Sequence, residues 1–113
     1  MRIVQEALAP TGIPTFAGAW KSTPANPTAP DQYIVYTTLV TEEEHWDDEF
    51  RQYRVYVYLN LWSKGDPTDA VNRIRTAMRL AGFGFYEETD SYNDDTDYHL
   101  VAATWVIYVN DTV

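Results

Sequence analysis

The chain has 113 residues and a net charge of −9; 45% of it is apolar, 15% aromatic, and none of it cysteine. That length suits a single domain spanning 1–113 and leaves little for a second. The charge argues against general nucleic-acid binding, which needs clustered Lys and Arg against phosphates, and the missing cysteines exclude disulfides, thiolate metal sites and cysteine nucleophiles.

Residues 2–8, RIVQEAL, place Ile3, Val4, Ala7 and Leu8 on one helical face, and Pro10 with Gly12 stops that helix. The start is too short in apolar run and too poor in basic residues for a signal peptide, and no stretch approaches the ~20 apolar residues of a membrane span. Synthesis in the cytoplasm without a membrane partner is the expectation. IPTFAGAW (13–20) gives a short strand. Pro24, Pro27 and Pro30 fall within seven residues, so that segment is an extended loop.

QYIVYTTLV (32–40) is β-branched and aromatic and reads as a strand, and EFRQYRVYVYLNLW (49–62) as a longer one. Along the second, Tyr53, Val55, Val57, Leu59 and Leu61 point to one face. Gln52, Arg54, Tyr56, Tyr58, Asn60 and Trp62 point to the other. The two strands form one long antiparallel hairpin, with arms of about 30 Å at ~3.3 Å per residue.

In SKGDPTDAVNRIRTAMRLAGF, Asp66 is the N-cap, Pro67 the first helical residue, and Gly82 the C-cap. Val71, Ile74, Ala77, Met78 and Ala81 form its apolar stripe. Arg73, Arg75 and Arg79 lie opposite. A short strand is predicted at 83–88, a polar turn at 89–97, and a last strand at 98–109 with Val101, Ala103, Trp105, Ile107 and Val109 on one face. The order α-β-β-β-α-β-β implies an α+β fold: a mostly antiparallel sheet with a long β-hairpin and two helices packed on one face.

The hairpin tip carries Glu42, Glu43, Glu44, His45, Asp47, Asp48 and Glu49. Zinc would want more than one local His, and neither the tip nor DSYNDDTD (90–97) follows the spacing of a calcium loop. The plain reading is a charged tip that keeps hairpin edges from aggregating, with no metal and no cofactor. Catalysis is not expected either. The serines lack a neighbouring His or a nucleophile elbow, and the acids sit in solvated segments.

What remains is a surface of mixed sign and many rings. Glu43, Glu44, Asp47 and Asp48 at the tip could meet Arg73, Arg75 and Arg79 of another copy, with Tyr56, Tyr58 and Trp62 as apolar contact beside them. A head-to-tail contact of this kind closes into a ring where the rotation permits. Ordinary i,i+4 pairing and solvation of the arginines is the plainer reading.

LNLWSKGDPTDAVNRIRTAM, running from strand into helix, and YNDDTDYHLVAATWVIYV, an acidic turn leading to a His-containing final strand, are the segments in which the chain resembles a known family. With the N-terminal helix, the Pro-rich loop and the long hairpin, nearly the whole length resembles the tail-completion, tail-terminator or head–tail joining proteins of long-tailed bacteriophages and prophages. That resemblance implies a non-enzymatic structural protein, monomeric in solution. It would assemble as a homo-oligomeric, hexameric ring on the head-proximal end of the tail tube, ending tube polymerisation and docking the head connector protein. DNA would pass through the lumen without specific binding, and the protein would move from host cytoplasm to virion tail. The family supplies no invariant site to carry across, so the interface residues rest on exposure and sign. The alternative is a small protein-binding module that uses an exposed sheet edge.

Overall fold

The computed structural model describes residues 2–21, 24, 28–42, 50–93 and 97–112. In chain order the elements are helix α1 (Arg2–Leu8), a 3-10 turn (Ala9–Thr11), β1 (Thr15–Ala17), β2 (Gln32–Glu42), β3 (Phe50–Lys64), α2 (Thr68–Leu80), β4 (Gly84–Asn93) and β5 (Tyr98–Thr112). They build one five-stranded sheet in the order β1-β2-β3-β5-β4. Only the β1–β2 pair is parallel. The fold is the expected α+β arrangement, with the expected order of elements.

The alternation along β3 separates two faces. Val55, Val57, Leu59 and Leu61 are buried, together with Ile34 and Tyr36 of β2 and Val101, Ala103 and Trp105 of β5. α1 and α2 close over this face through Val4, Leu8, Ala70, Ile74 and Met78. Ser63 is also buried there, and its hydroxyl accepts from Gln32 Nε2 at 3.1 Å, so the polar group is satisfied. The chain is elongated, 53 × 30 × 23 Å, with a radius of gyration of 15.9 Å. A compact domain of this length would have about 13 Å. The excess comes from β2, β3 and β5, which run past the helices.

Local chemistry sets the ends of α2. Asp66 Oδ1 accepts from the Thr68 N–H at 2.9 Å and from the Thr68 hydroxyl at 2.6 Å, so its carboxylate caps the first helical N–H, from one residue before the N-cap Pro67 that the sequence reading places inside the helix. These bonds hold its carboxyl below the usual range, with a smaller contribution from His99. At the other end the Phe83 N–H donates to Met78 O and the Gly82 N–H to Arg79 O, both at 3.0 Å. That is a Schellman turn: Gly82 takes a φ of +94°, and Phe83 packs into the same core as Met78.

Asp66 gives a pH-dependent prediction. Because its folded-state pKa is lowered, its contribution is present above the unfolded carboxyl value, about pH 4, and fades as pH falls through the folded value. Asp66→Ala is therefore expected to lower Tm at pH 7 by more than at pH 2.5, whereas Asp66→Asn, itself a good cap, loses less at pH 7. Thermal melts across that range check it; a pH-independent gap between wild type and Asp66→Ala would contradict the capping role.

Two expectations are corrected. The strand predicted at 83–88 continues to Asn93, so most of the polar stretch 89–97 is β4 and not a turn. TDSYN has no apolar alternation because β4 is an edge strand. Its pairing with β5, Thr89↔Ala102 through Asn93↔Tyr98, carries it instead.

Candidate functional site

Among the described residues no helix lies on the sheet face opposite α1 and α2, and the register fixes what this face carries. Successive cross-strand rows are Thr41–Arg54–Tyr108, Leu39–Tyr56–Val106–Gly84, Thr37–Tyr58–Thr104–Glu87, Val35–Asn60–Ala102–Thr89 and Tyr33–Trp62–Leu100–Ser91. In these five rows the charged side chains are Arg54 and Glu87 alone, on a molecule with a net charge of −9. Leu39 (48% exposed), Tyr58 (42%), Tyr86 (65%) and Tyr108 (50%) open onto this face. Depletion of charge with enrichment of Tyr is the composition of an interface core.

Arg54 is built into the face. Its Nη1 donates to the Tyr56 hydroxyl at 2.8 Å, and its guanidinium lies 5.8 Å from the Tyr56 ring centre and 5.2 Å from that of Tyr108. Held over two rings, it presents a planar cation with little freedom left to lose. Tyr86 reaches the same face through a β-bulge. The register steps between Phe85↔Trp105 and Glu87↔Thr104, so Phe85 packs edge-on against buried Trp105 while Tyr86 meets Tyr56 edge-on at 6.5 Å.

At the other end of the face the rings pack on one another. Tyr33 stacks on Trp62 at 6.4 Å and meets Tyr98, Phe16 and Trp20 at 5.9, 6.3 and 6.4 Å. The Tyr98 hydroxyl donates to Pro30 O at 2.7 Å, which ties the end of the Pro-rich segment to the sheet. Burial raises the Tyr33 pKa, with repulsion from Tyr98 adding to it. Of the three rings predicted on β3, Tyr58 is open, Tyr56 is half-buried against Arg54, and Trp62 is half-buried in this cluster.

The three arginines of α2 have separate roles. Arg73 Nη1 donates to Thr11 O at 2.6 Å and its Nε pairs with Asp69 at 3.1 Å, which fastens the turn after α1 to α2. Arg75 ion-pairs with Glu88 of β4. Arg79, in the last helical turn, is exposed and has no side-chain partner among the described residues. Beside it Leu80 is exposed at the edge of a shallow groove with Pro10, Asn72 and Thr76. Glu43, Glu44, Asp47 and Asp48 lie outside the described residues.

Among the described residues no group of three or more His, Asp or Glu gathers to hold a metal, and no helix is long and apolar enough to cross a membrane. Leu39, Tyr86 and Tyr108 belong to the open face but are absent from the sequence-predicted set. Strict alternation from Trp105 places Tyr108 there, whereas the bulge at Tyr86 leaves no sequence signal.

Neither a protein-family model nor a curated protein matches the chain. Solved structures do. A chain of the virion of a native gene transfer agent particle superposes with a TM-score of 0.58 over 93% of this chain and 84% of that one, at 10% identity. A second solved chain, whose name states no function, gives a TM-score of 0.57 over 99% and 89%, at 15% identity. At these identities the likeness is one of fold, and it extends over nearly the whole molecule.

Proposed function

We propose that this chain is a non-enzymatic structural component of a phage-type virion. Within the virion, we assign it to the head-proximal end of the tail tube as a terminator. The observation that carries the reading is the fold shared, almost end to end, with a chain of a gene transfer agent virion. Two features support it. The sheet face opposite the helices is poor in charge and rich in Tyr, as a surface that is covered on assembly should be. The net charge of −9 suits a collar through which DNA slides, since it offers phosphates no grip.

On this reading the chain is monomeric in solution and closes into a homo-oligomeric ring, a hexamer, between tail tube protein and head connector protein. Arg79 and the Tyr58–Tyr86–Tyr108 surface contribute contacts to that assembly. The test is removal of the gene from the particle-producing strain, followed by electron microscopy. Tails of uncontrolled length without heads are expected, and the wild-type gene restores finished particles. Tyr58→Glu and Arg79→Glu are expected to stay folded by circular dichroism and to fail to restore them. Normal tails in the deletion strain would refute the assignment.

A further inference from the structure

Leu80 and Tyr86, at 84% and 65%, are the two most exposed large apolar side chains among the described residues. Each stands next in sequence to an exposed charge, Arg79 and Glu87, and the two charges are opposite in sign. Neither Arg79 nor Glu87 has a side-chain partner among the described residues.

A β-bulge creates the second pair. The register steps from Phe85↔Trp105 to Glu87↔Thr104. Tyr86 and Glu87, which strict alternation would send to opposite faces, therefore both lie on the face away from the helices, Tyr86 against the Tyr56 ring. The first pair lies on the other side of the sheet, in the last turn of α2. There Leu80 edges a groove of ≈ 330 Å³ with Pro10, Thr76 and Ala77, which has room for an aromatic ring.

Because the two patches lie on opposite sides of the sheet, one copy offers both at once, to different neighbours. An apolar side chain beside a cation on one copy matches an aromatic ring beside a carboxylate on the next. No other carboxylate competes on that face, since Glu87 is the single acid in its five rows.

We propose that the last turn of α2 and the bulge of β4 are the two halves of a contact between copies of this chain. Tyr86 of one copy seats in the groove against Leu80 of the next, and Glu87 pairs with that copy's Arg79. Burial of the ring and of Leu80 supplies the affinity, and the ion pair fixes the orientation in which the copies meet. The contact is heterologous, so it repeats from copy to copy and closes into a ring where the rotation permits. The inference rests on the ring reading in taking a second copy as the partner.

The test uses the full chain carrying Arg79→Lys, which keeps the charge and supplies an amine. A water-soluble carbodiimide joins an amine to a carboxylate where the two are in contact. Chains labelled with heavy nitrogen and unlabelled chains are mixed, treated at high protein concentration, and digested for mass spectrometry. The main cross-link from position 79 is expected to lead to Glu87 and to join a labelled peptide to an unlabelled one, which places it between copies. Tyr86→Ser and Leu80→Ser are each expected to lower its yield about tenfold with the circular dichroism spectrum unchanged. The proposal is overturned by a 79–87 cross-link whose two peptides always share one label, by coupling of position 79 chiefly to the acids at 42–49 or elsewhere, by no coupling at all, or by a yield indifferent to both serine substitutions. Tail length in the deletion strain is a separate readout. Uncontrolled tails without the 79–87 cross-link refute this contact alone, and normal tails with the cross-link refute the terminator assignment alone.

Discussion

Trp105→Ala is expected to remove about 3–5 kcal/mol of stability, out of a total of about 5–15 kcal/mol for a domain of this kind. Trp105 is wholly buried at the centre of β5, opposite Val57 on β3 and edge-on to Phe85 on β4. The indole thus joins three strands beneath α2, and truncation leaves a cavity that a β-sheet backbone cannot collapse to fill. Its Nε1 is buried and meets no acceptor among the described residues. An unmade bond of this kind costs about 1–3 kcal/mol in the native state. Trp105→Phe sheds that cost along with part of the ring, so its loss is expected to be well under half that of Trp105→Ala. Urea unfolding of both variants measures this, and near-equal losses would show that the indole N–H is satisfied after all.

Arg75→Glu is expected to destabilise the fold, by about 1–2 kcal/mol, rather than act on assembly alone. The substitution sets a second carboxylate against Glu88, which is only 21% exposed and lies under α2. The reciprocal exchange, Arg75→Glu with Glu88→Arg, restores opposite signs and is expected to recover most of the loss. Unfolding free energies of the two single variants and the double variant close the cycle; a coupling energy near zero would mean that the pair contributes nothing. Arg79, with no side-chain partner among the described residues, is therefore the clean site at which to test assembly by charge reversal, and Arg75 is not.

The difference between those two arginines shows where sequence reading stops. Helical periodicity correctly places Arg73, Arg75 and Arg79 away from the apolar stripe. It carries no information that Glu88 will lie under Arg75, or that the Thr11 carbonyl, 62 residues earlier, will meet Arg73. Those contacts depend on how the helix lies across the sheet. The α2 ends were legible to within one residue, because Asp66 and Gly82 act on backbone groups a few positions away. The core face of β3 was legible because alternation is a local property. The second half of β4 was not, since its strand state comes from β5 and not from its own composition. The open face was half legible: Tyr56, Tyr58 and Trp62 follow from parity, but the scarcity of charge across five rows, where Arg54 and Glu87 are the charged side chains, appears only once four strands are set in register.

The β3–β5 ladder pairs Phe50 with Thr112 and continues one residue at a time to Lys64 with Tyr98. No bulge interrupts it, in contrast to the step between β4 and β5. A twisted ribbon without a break has no hinge, so it behaves as a stiff lever along the 53 Å axis of the molecule. A push on its far end would turn the helix-covered base through the same angle instead of being absorbed on the way, and whatever grips one extremity would thereby set the orientation of the other.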